Sequence, residues 1–288
     1  MVRQLKQIAV LGASGRLGRA VVQALGPHRV VGFGHSTPHP QVARWLAGDR
    51  RDAVALQQAL AGVVGIVDLC GFEGADGQAL VTAAMAVGGD QLPLIVASSL
   101  AERTPELWAR PETELGPLPR DAYGAGKRAL SDHCLAHWRG PCLIALLPQL
   151  LIADDPEERA LAYLATGQRT SVAVAGSGQQ RPATVAACDV AHLFARWLER
   201  PQPSGRVQIS HPQPLPLTDL VAALLIGAGQ NLPIQPGATR GPHSGGDETL
   251  DLGQQARLWP DYPWLPLTEE FASLGRGWRD RIRGRSAD

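Results

Sequence analysis

The chain has 288 residues, 44% of them hydrophobic, which suffices for one large domain or for one domain with a smaller appendage. Its 27 basic and 27 acidic residues cancel, which excludes a global field drawing it to nucleic acid or to an anionic membrane, so a small-molecule substrate is the expected partner. The first apolar run, Ile8 to Leu11, is too short for a signal core or a membrane span, and Cys70, Cys134, Cys142 and Cys188 lack CxxC spacing; a cytoplasmic location with neither zinc nor disulfides is expected.

In chain order, short apolar runs alternate with helical patterns. Strands are expected at Gln7 to Leu11, Arg29 to Gly34, Gly65 to Cys70, Pro93 to Ala97 and Cys142 to Leu147. Helices are expected at Leu17 to Leu25, Ala53 to Leu60, Gln78 to Val87 and Ala125 to Trp138. Runs apolar throughout suit parallel strands buried on both faces. The pattern predicts an α/β fold, a Rossmann-type doubly wound parallel sheet over residues 1–150. Residues 151–288 mix helices at Pro156 to Thr166, Val190 to Arg200 and Leu217 to Gly227 with Pro- and Gly-rich connections. They read as a small C-terminal substrate-binding lobe, some segments of which return to the Rossmann core. Gln235 to Asp247 reads as a mobile loop, and Arg276 to Asp288 as a solvated end.

Gly12-Ala13-Ser14-Gly15-Arg16-Leu17-Gly18 follows the first strand and opens a helix, the context in which a glycine spacing suggests a dinucleotide site. Glycines allow a tight turn, close approach of pyrophosphate to backbone N–H groups, and close packing of helix on sheet. NAD-specific sites place a carboxylate near the end of the second strand. Here that strand ends Phe33-Gly34-His35-Ser36, and Arg16 offers a cation to a 2′-phosphate. NADP is therefore the expected cofactor, with NAD as the other option; Arg16 also fits a surface position at a helix start. Asp49, before Arg50, is a candidate for the adenine amine and equally for a helix cap. Gly71, after the third predicted strand, completes the cofactor candidates on the strand ends.

Tyr123-Gly124-Ala125-Gly126-Lys127 opens a helix, and residues four apart share one face. A tyrosine titrates near pH 10 in water. A neighbouring ammonium or a cationic nicotinamide ring favours the phenolate and suits the hydroxyl to acid/base work. Lys6 and Lys127 are the two lysines in the sequence and tyrosines number three, so the spacing carries weight. Upstream, Ser98-Ser99 end a strand at the edge where open α/β sheets bind ligands; they could also terminate the strand or cap a turn.

These residues resemble the short-chain dehydrogenase/reductase superfamily, in its extended branch, the NAD-dependent epimerase/dehydratase family. The resemblance covers most of the chain. It rests on GASGRLG at 12–18, the serines at 98 and 99, YGAGK at 123–127, Pro148, and Gly178 to Arg181 leading to Cys188-Asp189-Val190-Ala191. It implies a Rossmann domain holding the cofactor, with Pro148 and Lys127 among its contacts, and a Ser, Tyr, Lys catalytic set. Ser99 is the preferred serine and Ser98 the other candidate. A homodimer follows from the resemblance alone. Leu100-Ala101 replace the Asp-Glu pair that follows the serine or threonine in sugar-nucleotide dehydratases, which argues against a 4,6-dehydratase. Arg181 to Thr184 resemble part of the dTDP-4-keto sugar reductases, although Leu147-Pro148 lacks the arginine often found before this proline. The expected activity is carbonyl reduction or epimerisation on a sugar-nucleotide-like or other small substrate. A non-catalytic dinucleotide-binding sensor is the alternative. His133 and His137 lie four apart with no third ligand in view and read as exposed helix residues rather than metal ligands. The Pro-rich stretch 104–120, with Trp108, is expected to border the site as a flap.

Overall fold

The computed structural model describes residues 6–35, 41–151, 170–238 and 246–285. The chain divides into two compact units, the first comprising residues 1–148, 187–209 and 251–260, and the second residues 149–186, 210–250 and 261–288.

The first unit is built on strands β1 (Ile8–Leu11), β2 (Val30–Gly34), β3 (Arg44–Ala47), β4 (Gly65–Asp68), β5 (Leu94–Ser99), β6 (Cys142–Leu147) and β10 (Gly205–Gln208). They form one seven-stranded sheet in the order β10-β6-β5-β4-β1-β2-β3, with every pairing parallel. This is the expected Rossmann-type doubly wound sheet. Strands β1, β4 and β6 are buried along their whole length, which is why their sequences run apolar without alternation, up to the Asp68 that ends β4. Between them run α1 (Arg16–Leu25), α2 (Ala53–Leu60), α3 (Gly74–Ala86), α4 (Ala122–His137) and, later, α5 (Ala187–Glu199). Helix α1 packs beside α5, while α3 packs beside both α2 and α4. In α1 the buried residues are Leu17, Gly18, Val21, Val22 and Leu25, the spacing of one helical face.

Two strands of this sheet escape a pattern-based reading. Strand β3 has only partly buried or exposed residues at an edge, and β10 is contributed from after residue 200. The order places β1 beside both β2 and β4, so the chain leaves β1 in one direction and returns on its other side. That reversal opens a crevice at the carboxyl ends of β1 and β4, where such sheets hold ligands.

The second unit holds two small parallel pairs, β7 (Gln149–Leu151) with β9 (Thr184–Ala186), and β8 (Val172–Ala175) with β11 (Ile234–Ala238). Residues 235–238, expected in a mobile loop, are therefore a strand, with a register shift between Pro236 and Ala238. Backbone pairing to β8 overrides their Pro/Gly composition, because Gly237 takes the positive φ, 110°, at the irregularity. Residues 276–285 of the expected solvated end, Arg276 and Asp280 among them exposed, close a helix, Leu267–Arg285, that packs on the helix Leu217–Gly227. Small residues allow that contact, since a Cβ on Gly227 would lie 2.0 Å from the Ala272 carbonyl oxygen. The helix expected at Pro156 to Thr166 lies outside the described residues. Among the described residues, no helix is long and apolar enough to cross a membrane.

Candidate active site

The glycine turn joins β1 to α1. Gly12 has φ 83°, its N–H donates to Phe33 O at 2.8 Å, and its carbonyl accepts from Gly15 N–H at 2.9 Å. A Cβ at Gly12 would come 3.2 Å from Cys70 Cβ, and one at Gly18 would lie 2.1 Å from the Gly12 carbonyl oxygen. Position 18 can therefore be only glycine if this turn is kept. No side chain caps α1, whose N-cap is Gly15, and a helix start of this kind suits an anionic ligand. Leu17 is buried beneath the turn, Ser14 is partly buried and Arg16 is exposed. These features fit a dinucleotide pyrophosphate.

His35 and Asp49 face each other across the end of β2, Nε2 to Oδ2 at 3.8 Å, both well exposed. Asp49 also shapes the turn ahead of α2, its Oδ1 accepting from Arg51 N–H at 2.8 Å, but the cap of that helix is Asp52, not Asp49. Ser36 lies outside the described residues. Arg50, expected beside the cofactor, is drawn inward. Its guanidinium pairs with both oxygens of the fully buried Asp68 at 2.9 Å each and donates to Asp76 O at 3.0 Å. Burial works against the Asp68 charge, but Arg50 and the Cys70 N–H outweigh it and hold the carboxyl below the usual range.

Asp68 shapes the loop that follows β4. Its Oδ1 accepts from Cys70 N–H and Gly71 N–H, both at 3.1 Å, and the Gly71 carbonyl then accepts from Lys127 Nζ at 2.7 Å. Lys127 also donates to Ala97 O at 3.1 Å and is 8% exposed. It thus ties the ends of β4 and β5 to helix α4. Burial pushes Lys127 below the ordinary lysine range, against the pull of Asp68 and Glu102.

Tyr123, one helical turn earlier, is 44% exposed, its ring 5.6 Å from that of Phe72. Asp121 caps the helix by accepting from Gly124 N–H at 2.7 Å. The glycines of the YGAGK segment are steric requirements: a Cβ at Gly124 would lie 2.2 Å from Ala101 O, and one at Gly126 2.9 Å from Phe72 O. They let α4 seat directly on the loops after β5 and β4.

The two serines diverge. Ser98 is buried and donates to Glu102, which also accepts from Ser131 and pairs with Arg206 Nε at 2.9 Å. Ser99, partly exposed, accepts at Oγ from Ala101 N–H at 3.2 Å. Pro148 follows directly on β6. The stretch 104–120 is pinned from below: the almost fully buried Arg103 donates to the carbonyls of Arg110, Pro111 and Glu114, and Trp108 Nε1 to Leu100 O. The rings of His133 and His137 lie tilted by 43° on α4 with centroids 4.4 Å apart, His137 exposed as expected and His133 partly buried.

Ser99 ends β5 itself, while the glycine turn, Gly71, Tyr123 and Lys127 sit on loops or in the first turns of helices that follow the carboxyl ends of β1, β4 and β5. The pair Arg50–Asp68 and the buried Glu102 escaped sequence reasoning. An acid ending the apolar strand Gly65–Asp68 was a usable signal for the first; Glu102 carries none.

No family model matches the chain, and no curated protein matches it. Solved structures do. UDP-N-acetylglucosamine 4-epimerase from Bacillus cereus superposes with a TM-score of 0.76 at 17% identity, covering 97% of this chain and 100% of that one. A short-chain dehydrogenase/reductase superfamily protein from Agrobacterium tumefaciens with bound NAD gives 0.77 at 19% identity, over 98% and 100%. RMD from Pseudomonas aeruginosa, complexed with NADPH, gives 0.72 at 16% identity, over 96% and 100%. The chain therefore shares the fold of these proteins over nearly its whole length.

Proposed function

We propose that the chain is an NAD(P)-dependent oxidoreductase that reduces a carbonyl, or epimerises through one, on a sugar-nucleotide-like or other small substrate in the cytoplasm. The observation that carries this reading is the buried Lys127, held by the Gly71 and Ala97 carbonyls one helical turn from the exposed Tyr123. A structural lysine has little reason to be buried beside an exposed tyrosine at a sheet's ligand-binding edge. The names of the similar structures support a nucleotide-sugar substrate.

When bound, a reduced nicotinamide supplies the hydride that reaches the carbonyl carbon. Tyr123 gives its hydroxyl proton to the substrate oxygen as that hydride arrives, and takes it back in the reverse direction. Lys127 places a positive charge beside this exchange and stabilises the phenolate that remains. Ser99 holds the substrate oxygen by a hydrogen bond; Ser98 is already committed to Glu102. The N–H groups of the glycine turn would take the pyrophosphate, with Asp49 toward the adenine. Arg16, and the lack of an acid in the residues Phe33-Gly34-His35-Ser36 that end β2, favour NADP over NAD.

Replacing Tyr123 by Phe keeps the ring and removes the proton donor. Hydride turnover, followed by nicotinamide absorbance with a panel of keto-sugar nucleotides, should fall at least about a thousandfold, in line with loss of a general acid. NADPH affinity should stay within about twofold. Equal turnover of the variant and the parent would remove Tyr123 from the mechanism; a parent that binds neither NADPH nor NADH would remove the enzyme reading altogether.

A further inference from the structure

Lys127 is buried, and its hydrogen bonds go to two backbone carbonyls, Gly71 O at 2.7 Å and Ala97 O at 3.1 Å. An ammonium shut away from water keeps its proton only where negative charge lies nearby. Two buried carboxylates flank it. Asp68, at the end of β4, is engaged by Arg50 and by the Cys70 and Gly71 N–H groups. The other is Glu102, which is fully buried in the short helical turn Leu100–Glu102 that follows β5.

The Glu102 carboxylate accepts from the hydroxyls of Ser98 and Ser131 and pairs with Arg206 Nε at 2.9 Å. Ser98 follows Ala97, whose carbonyl holds the ammonium. Ser131 stands four residues after Lys127 on α4, so the two side chains share a face of that helix. One carboxylate is thereby fastened to both elements that hold Lys127, and its charge lies about one helical turn from the ammonium. The surrounding charges are paired on the far side: Arg206 also meets Asp132, Asp132 accepts from Arg128 Nε at 3.2 Å, and Arg128 Nη1 donates to the Glu102 carbonyl at 3.3 Å. Apolar packing could join β5 to α4 without the cost of desolvating an ion pair, so a merely structural link does not call for this charge.

Resting on the function proposed above, we propose that Glu102 is a positioning residue for Lys127: its carboxylate fixes the end of β5 against α4 and supplies negative charge that keeps the ammonium protonated beside Tyr123. Burial works to remove that proton; Asp68, Glu102 and Cys70 oppose it, and Arg50 adds to it. Neutralising Glu102 also leaves Arg206 with Asp132 alone, so the field at Lys127 becomes more positive and its proton leaves at lower pH.

The sequence has two lysines, Lys6 and Lys127, so carbon-13 NMR of the lysine Cε atoms in the full chain gives one titrating signal for each, and Lys127→Met identifies its own by loss. Glu102→Gln should move the Lys127 midpoint to lower pH by about half a pH unit or more, and Arg206→Gln should move it to higher pH. The two changes together should bring it back toward the parent's, and Glu102→Asp, which keeps the charge, should move it less than Glu102→Gln. Arg206→Gln keeps the test decisive if the Glu102→Gln chain does not fold. With keto-sugar nucleotides, the alkaline fall in kcat should follow the same order of variants. Equal Lys127 midpoints in the parent and both single variants overturn the role of Glu102 and leave the enzyme reading standing. Midpoints that move as expected in a chain that turns over no keto-sugar nucleotide keep the hold of Glu102 on the ammonium and overturn the enzyme reading instead.

Discussion

Asp68→Asn removes a charge from a carboxylate with no exposed surface while changing its shape very little. Its oxygens meet Arg50 at 2.9 Å each, and the guanidinium is itself nearly buried. Burial opposes the Arg50 charge, and Asp68 is the largest of the influences that sustain it. Removing one partner of such a pair strands the other charge, at a cost of about 3–5 kcal/mol. Asp76 remains 3.4 Å from Arg50 Nε, and an asparagine oxygen can still accept from the Cys70 and Gly71 N–H groups, which puts the expected loss near 3 kcal/mol. That is a large part of the roughly 5–15 kcal/mol typical of whole-domain stability. The sign of the pH dependence is fixed. Because the folded-state carboxyl sits below the ordinary value, its contribution is complete above the unfolded value and is lost as pH falls through the folded one. Urea unfolding at pH 7 and pH 3 should therefore show the variant's deficit shrinking by about 1 kcal/mol at the lower pH, which lies roughly one unit below the unfolded value of about 3.9. Turnover should fall too, since Asp68 holds the loop whose Gly71 carbonyl receives Lys127. A deficit under about 1 kcal/mol at pH 7, or an equal deficit at both pH values, would refute the account of a buried ion pair supporting the site.

Gly124→Ala drives a Cβ to 2.2 Å from the Ala101 carbonyl oxygen, so α4 must lift from the loop after β5; turnover should fall more than about tenfold with only about 1–3 kcal/mol of stability lost, and unchanged kinetics would show that this seating is not needed. The fully buried Cys142 thiol is pushed up to about 12 by that burial, with Arg206 opposing. Iodoacetamide at pH 8 should therefore modify it at least about tenfold more slowly than free cysteine, as intact-mass spectrometry would show, and parity would contradict the assignment. Arg103→Met frees the carbonyls of Arg110, Pro111 and Glu114, so amide exchange across 104–120 should accelerate; protection equal to the parent's would mean that Arg103 does not anchor the stretch.

The sequence by itself determined the sheet's central strands and the helices between them, because strands buried on both faces leave continuous apolar runs and helices leave a 3.6-residue repeat. It determined the glycine turn and the Tyr123/Lys127 pair for a related reason: each is a local spacing, legible without knowing what lies opposite. Edge strand β3 and the late strand β10 left no such record, one being half-exposed and the other paired with a strand more than fifty residues earlier. Composition misled at 235–238, where strand pairing outweighs local preference. Tertiary structure alone decided that Arg50 turns inward to Asp68, and that Ser98 is consumed by Glu102 while Ser99 is not. Each of these depends on which distant group a side chain meets, and burial makes that meeting obligatory: a charge or hydroxyl shut away from water must find a partner.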